Sequence, residues 1–400
     1  MFEPFSHYLS YGATDQQTLR DLSESYEGLV VPGTVAAFQR EGTGGFVLSL
    51  SAQQSAPPYV IDPRFPLFQK ALINPKKSHS ALAEILESPE LLWSSMPTPT
   101  DFSDELIQRV AQKWVDFNNN YTSREAGKFE KYAKLLDEEV AKDAVQGPEA
   151  IIAPYLVADG QAWWERSRAL MEATVAAAPN SRVLRVVATT EPSQLDHLLK
   201  EIDDRQVILW VSGLKEIDVS VNALVEYGTA LQQADARGQE CFAIYGGFFS
   251  VLLAAAGLKG ACHGVGYGED RAWPELPQSG PPPPRYYAPR FHRYISQDLA
   301  YQLWSRDADL TACACPICSN GSPVLAYHDL MKHSVHARQS EIDSWGGMDL
   351  ADMGTRLEEQ SQKLEADLRA VELPNPLRGP VTRATNHLPR WVEALKGLAR

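Results

Sequence analysis

The chain reads as an α/β protein built on an eight-stranded barrel, and three observations predict it. Short apolar runs rich in Val and Ile recur, separated by longer segments with helical spacing, which is the pattern of a parallel sheet with crossover helices. Eight such runs can be counted, the number that closes a (β/α)8 barrel. The composition then changes abruptly at Pro277-Gln-Ser-Gly-Pro-Pro-Pro-Pro-Arg285, a stretch that suits neither a strand nor a helix interior. An open doubly wound sheet is the rival arrangement, because counting runs does not establish closure.

In chain order the runs are 28–33 (GLVVPG), 45–50 (GFVLSL), 59–62 (YVID), 151–156 (IIAPYL), 183–188 (VLRVVA), 207–212 (VILWVS), 241–245 (CFAIY) and 260–265 (GACHGV). Between the later runs, residues 161–178, 192–204, 219–237 and 248–256 carry helical spacing. A helical, highly charged insertion at about 70–150, strongest over 101–142, is expected to pack outside the barrel. This divides the chain into a barrel over 1–276, a Pro-rich link and small subdomain over 277–345, and a C-terminal helix with a Pro-broken tail over 346–400. The tail from Arg378 to Arg400 holds five basic residues against Glu393, which reads either as a solvated helix end or as a contact with phosphate.

At 400 residues, 44% hydrophobic and 22% charged, the chain can bury a large core. The N-terminus has no basic segment followed by an apolar one, and no apolar stretch is long enough to span a bilayer, so a cytoplasmic protein without a membrane partner is expected. A net charge of −14 argues against a protein that coats nucleic acid non-specifically, while leaving room for a local basic patch. Five cysteines are too few for a disulfide scaffold, and three of them crowd into six positions.

Those three, Cys313, Cys315 and Cys318, have the spacing C-x-C-x-x-C, which lets a tight knuckle turn three sulfurs toward one point. A thiolate-rich tetrahedral shell suits zinc. The helix expected over 326–340 offers His328, His333 and His336 as a fourth ligand, with residues 333 and 336 on one face. A closed Cys3His shell leaves no open position, so the Zn2+ would be structural.

This cluster, following a barrel, resembles the zinc motif of the tRNA-guanine transglycosylase superfamily, and the resemblance covers roughly residues 20–345. Lys332-His-Ser-Val335 is similar to the stretch that carries the ligand histidine in archaeal-type members, which favours His333 over His336. Arg285-Tyr-Tyr-Ala-Pro289 looks like the family's link between barrel and zinc subdomain. The resemblance implies exchange of guanine for a 7-deazaguanine in nucleic acid, tRNA or DNA, by cleavage and re-formation of an N-glycosidic bond. A carboxylate nucleophile and a second carboxylate near the base would do this at the C-terminal strand ends. It also implies a purine or 7-deazapurine ligand and homodimerisation through the zinc subdomain, with the helix over 351–371 as a surface for it.

Asp62, in Val60-Ile-Asp-Pro-Arg-Phe-Pro-Leu-Phe-Gln69, resembles the family's aspartate that precedes a Gly-Gly-aromatic-Gln segment, with the two glycines missing here; a turn-capping aspartate before proline reads equally well. Ser212-Gly213-Leu214 resembles the family's Gly-Gly-Leu contact with the base, and Tyr155 and Gly246-Gly247 also fall at strand ends facing the expected mouth. At the last strand the family carries its nucleophilic aspartate, whereas this chain has Cys262 and His263. Adjacent strand residues point to opposite faces, so only one of them should face the interior. Glu269 or Asp270, on the Gly-rich stretch that follows, could return a carboxylate to the mouth. Two other classes stay open: a catalytically silent subunit of the same kind, favoured by the missing aspartate, and an unrelated zinc-stabilised barrel hydrolase, favoured by the acidic net charge.

Overall fold

Side chains alternate across a strand, so each strand here needs an apolar residue for the inside and another for the helices outside. Eight parallel strands supply both and close in chain order: β1 Ser6–Ser10, β2 Gly28–Pro32, β3 Tyr59–Asp62, β4 Ile151–Ile152, β5 Val183–Thr189, β6 Gln206–Val211, β7 Glu240–Ala243 and β8 Leu258–His263. The computed structural model describes residues 1–400 except 3–4, 13, 52–56, 123–146, 274–284 and 319–320. Pairing of Ser6 with Gly260 through Leu9 with His263 joins β1 to β8 and leaves no sheet edge. Tyr8, Val30, Val60, Ile152, Val186, Ile208, Phe242 and Cys262 fill the interior. Leu9, Leu29, Val31 and Ile61 face outward into the helical layer. Each such large side chain contributes about 1.5–3 kcal/mol on burial.

The helices flanking the barrel are α1 Gln16–Asp21, α2 Gly33–Phe38, α3 Arg40–Ser51, α4 Lys77–Ile85, α5 Asp104–Asn119, α6 Gln161–Ala177, α7 Leu195–Lys200, α8 Val221–Ala236 and α9 Phe248–Leu252. The closed barrel and the later helices are as the sequence predicts. The strand expected over 45–50 is instead part of α3: Phe46, Val47 and Leu50 share one buried helical side, so the apolar run obeys helical rather than strand spacing. The missing strand is β1, whose Ser-His-Tyr-Leu-Ser carries too little apolar signal to stand out. Helix α5 is an integral wall rather than an appendage, since the Trp114 indole donates to the Ile152 carbonyl at 2.7 Å and the helix packs on α6. The rest of the charged segment, from residue 123, and most of the Pro-rich loop lie outside the described residues.

Beyond the barrel, β9 Arg285–Ala288 and β10 Arg293–Ser296 form an antiparallel hairpin, followed by α10 Gln297–Trp304 and α11 Tyr327–Trp345. Helices α12 Leu350–Ala370, α13 Asn375–Thr385 and α14 Leu388–Leu398 complete the chain. The tail is folded, not trailing. Trp391 donates to the Glu216 carbonyl at 2.9 Å, Gln232 to the Leu398 carbonyl at 3.0 Å, and Arg390 to the carbonyls of Ile217, Asp218 and Val219. The apolar side of α12, with Leu357 and Leu364 buried, is covered by α14 of the same chain. No helix among the described residues is long and apolar enough to cross a membrane.

Candidate functional site

Two polar centres stand out. The first is the cysteine knuckle. After Leu310 the chain turns tightly: the Cys315 amide donates to Cys313 Sγ at 3.4 Å, and the Cys318 amide donates to the Cys315 carbonyl at 3.1 Å. Three sulfurs are thereby brought to the start of α11, where His333 is fully buried. His333 Nδ1 lies 3.2 Å from Cys318 Sγ and 3.4 Å from Cys315 Sγ, while Nε2 sits 2.6 Å from the Tyr287 carbonyl. The carbonyl therefore holds the Nε2 proton and frees Nδ1 to act as a ligand, the usual outer support of a metal-bound histidine. The Tyr286 ring stacks on the imidazole at 4.3 Å.

All four ligand atoms lie within 4.8 Å of one another. A tetrahedral zinc with four thiolate or imidazole ligands would set its donor atoms about 3.5–3.8 Å apart, so this group could hold a metal ion of that size. Of the three histidines the sequence offered, His333 is the one in the group. His328 pairs through Nδ1 with Thr18 Oγ1 at 3.3 Å, and His336 lines an adjacent cavity.

The second centre is the C-terminal mouth of the barrel. Alternation along β3 turns Val60 and Asp62 inward, and Asp62 is fully buried at the strand end. Oδ1 accepts the Tyr155 hydroxyl at 3.0 Å and the Arg64 amide at 3.0 Å, and Oδ2 lies 2.7 Å from Arg64 Nε. Arg64 adopts a left-handed backbone, φ 53°, rare for a residue with a Cβ and tolerable here because both ends of it are held by Asp62. Its guanidinium lies over the Tyr245 ring, 5.6 Å from the centroid. Trp210 stands between Tyr155 and Tyr245, with centroids 6.1 and 5.8 Å away. Arg271 donates to the Tyr245 hydroxyl at 3.3 Å. Burial first, and for Tyr155 the Asp62 charge next, push both phenols above their ordinary range, so they remain donors at neutral pH.

A strap closes this mouth. Ser212 Oγ accepts the Trp273 amide at 2.6 Å, the Gly213 amide and the Trp210 indole donate to the Arg271 carbonyl, and the Trp273 indole reaches the Pro66 carbonyl at 3.0 Å on the opposite side. Residues 271–273 thus bridge the end of β6 to the turn that follows β3.

The predicted residues separate accordingly. Asp62 and Tyr155 meet. Ser212 and Gly213 hold the strap, and Leu214 packs against the outer core. Gly246 and Gly247 lie in the turn into α9, where the Glu216 carboxylate accepts the amides of Gly247, Phe249 and Ser250 and the Ser250 hydroxyl. A Cβ on Gly246 would come within 2.5 Å of Ser250 Oγ, and one on Gly247 within 2.7 Å of Glu216 Oε2, so these glycines serve close packing.

Cys262 faces the interior and His263 the outside, against His7 at 5.0 Å and under α11. That corrects His263 as a mouth residue: strand alternation turns its ring away from Asp62. Burial raises the Cys262 thiol well above its ordinary range, which removes it as a thiolate nucleophile. Glu269 is drawn outward by Arg338, 2.6 Å away, which in turn binds Glu341 at 2.9 Å; Glu341 also takes His292 at 2.6 Å and the Tyr287 hydroxyl at 2.8 Å. This buried chain of charges fastens the loop after β8 to α11 and β9. Asp270 is exposed on the surface. Neither acidic residue joins Asp62, whose ion-pair partner is Arg64.

Sequence reasoning missed Arg64, Trp210, Tyr245, Arg271 and Trp273. Alternation counted to the end of β6 would have put Trp210 inside; Tyr245, three residues after the inward Phe242 and out of phase with it, and the strap have no comparable signal. No protein-family model matches this chain, and no curated protein matches it.

Proposed function

We propose that the barrel mouth is a nucleobase site and that the protein is a transglycosylase-like enzyme acting on a purine or 7-deazapurine in nucleic acid. The observation that carries this reading is the buried Asp62 carboxylate at the end of β3, ringed by Tyr155, Trp210, Tyr245 and Trp273. Flat aromatic walls suit a flat base, and a carboxylate with a tyrosine and arginine donors can read the edge of one. The order of a barrel followed by a Cys3His group accords with it.

In such chemistry an Asp62 oxygen would attack C1′ as the C1′–N bond to the outgoing base breaks, with the electron pair leaving on that base. The outgoing base would take up a proton from water, and the incoming base would lose its N–H proton to water as it displaces Asp62 from C1′ and restores the free carboxylate. Tyr155 and Arg64 hold the two oxygens apart and fix their direction. A base reaches Asp62 when the strap at 271–273 lifts. The Cys3His group would bind Zn2+ in a closed shell, with the structural role of pinning α11 and the hairpin to the barrel.

The second reading is a catalytically silent subunit of the same kind, favoured by one observation: among the described residues no second carboxylate approaches Asp62. Incubation with radiolabelled guanine and, separately, bulk tRNA or duplex DNA distinguishes the two. Incorporation that disappears in Asp62→Asn supports exchange and names the polymer. Tight base or polymer binding without incorporation supports the silent subunit, and neither binding nor incorporation contradicts both readings.

A further inference from the structure

A different feature of the same barrel face has a charge pattern the base site does not explain. Between the loop after β6, the loop after β8, the β9–β10 hairpin and α13 lies an open cavity of about 420 Å3. Lys215, Arg285, Arg293 and Arg383 line it, with Glu269 and Asp270 as its acidic groups. Lys215 pairs with Asp218, Glu269 is drawn 2.6 Å from Arg338, and Asp270 is not free. Arg285, Arg293 and Arg383 have no carboxylate partner among the described residues. In a chain of net charge −14, three arginines left unpaired around one cavity call for an anion.

Their placement is held by the fold. Arg285 opens β9 and Arg293 opens β10, at opposite ends of the antiparallel pair, where Arg285 registers with Ser296 and Arg293 with Ala288, while Arg383 comes from the last turn of α13. Arg293 Nη1 donates to the Arg383 carbonyl at 2.9 Å, fastening hairpin to helix. The Arg293 Nε is buried and has no hydrogen-bond partner. Burial lowers this guanidinium from its ordinary value, and the neighbouring Arg285 and Arg390 add repulsion against the pull of Asp218 and Glu269. Several guanidiniums gathered against their own repulsion are stabilised by a multiply charged oxyanion, and the fork geometry of Arg favours phosphate.

We infer that this cavity is a phosphate-binding site formed by Arg285, Arg293 and Arg383. Its phosphate comes either from a polynucleotide backbone or from a free phosphate ester. The inference does not depend on base exchange: the cavity opens beside the strap, and its residues are separate from those around Asp62. Three phosphate-directed arginines would place a phosphodiester beside the loop after β8, where Asp270, three residues before Trp273, lines the same cavity.

The test uses the full chain and the variant R285Q/R383Q, whose substituted side chains are both exposed, with circular dichroism to confirm that it folds. Melting is followed with inorganic phosphate and with chloride at matched ionic strength. Phosphate should raise the melting temperature of the wild type and not of the variant. A fluorescein-labelled single-stranded oligonucleotide then separates the two sources. Binding that weakens at least tenfold in the variant, with a salt slope smaller by about one to two, assigns the site to a polynucleotide; a phosphate effect without oligonucleotide binding assigns it to a free phosphate ester. The proposal is overturned if phosphate acts no differently from chloride on the wild type, or acts equally on the folded variant.

Discussion

The metal group and the barrel mouth are both polar and made of few residues, yet they are built by opposite means. The metal group takes three of its four ligands from six consecutive positions and the fourth from the helix that follows, so local spacing nearly specifies it. The mouth collects Asp62, Arg64, Tyr155, Trp210, Tyr245, Arg271 and Trp273 from five separate segments, and it exists only once the sheet has closed. A ligand shell is therefore visible in a sequence, whereas a pocket assembled by topology is visible only where strand alternation can be counted.

The comparison breaks most sharply at the metal group. Cys315→Ala should release the metal, measured by elemental analysis, and lower stability by several kcal/mol, since a structural metal contributes directly to folding. A variant that melts like the wild type, from a wild type that carries no metal, would remove this half of the comparison. In the mouth, Asp62→Ala leaves the Arg64 guanidinium without its partner and should cost about 3 kcal/mol. The double variant Asp62→Ala/Arg64→Met should recover part of that loss in chemical denaturation, as a coupled pair requires; strictly additive costs would show that the ion pair is idle.

A smaller effect belongs to the seam between the two regions, where His7 on β1 lies beside His263 and bonds Gln339 of α11 through Nδ1 at 3.0 Å. Burial depresses His7 from 6.5 to about 4, opposed by the Gln339 bond and assisted by Arg338. The fold prefers the neutral ring, so its contribution is complete above pH 6.5 and is lost as the pH falls through about 4. That loss amounts to about 3 kcal/mol at most. His7→Phe should therefore flatten the acid limb of the stability curve over this window relative to wild type, and an unchanged limb would refute the assignment. The smallest expected change is Trp273→Phe, which keeps the ring and removes the bond to Pro66, costing about 1 kcal/mol. If the strap controls entry, exchange of the Asp62 surroundings with added base should quicken by more than stability falls.

How much was legible follows the same division. The sequence predicts barrel closure although one of its eight runs is no strand: the apolar 45–50 run is α3, and the low-signal Ser6–Ser10 segment is the strand that completes the ring. The two errors offset each other in the count. Asp62 was readable because it closes an apolar strand run at the end that faces the mouth and resembles the family's aspartate there. Its partner Arg64 was not, since nothing local reveals that a left-handed residue two positions on folds back onto the carboxylate. His263, Glu269 and Asp270 were plausible by sequence proximity to the mouth, but alternation turns the first outward and Arg338, from a helix far along the chain, draws the second away. The folded tail escaped for the same reason: its contacts with Glu216, Ile217 and Gln232 span more than 150 residues, and its prolines at helix starts resemble breaks.

The central claim, that the mouth around Asp62 is a nucleobase site, is tested most directly by titrating guanine into the full-length protein while following tryptophan emission, with Trp210→Phe and Asp62→Asn in parallel. The account predicts a saturable change in the wild type that diminishes without Trp210 and weakens at least tenfold in a folded Asp62→Asn variant. No saturable change in the wild type, or equal affinity in the Asp62→Asn variant, would contradict it.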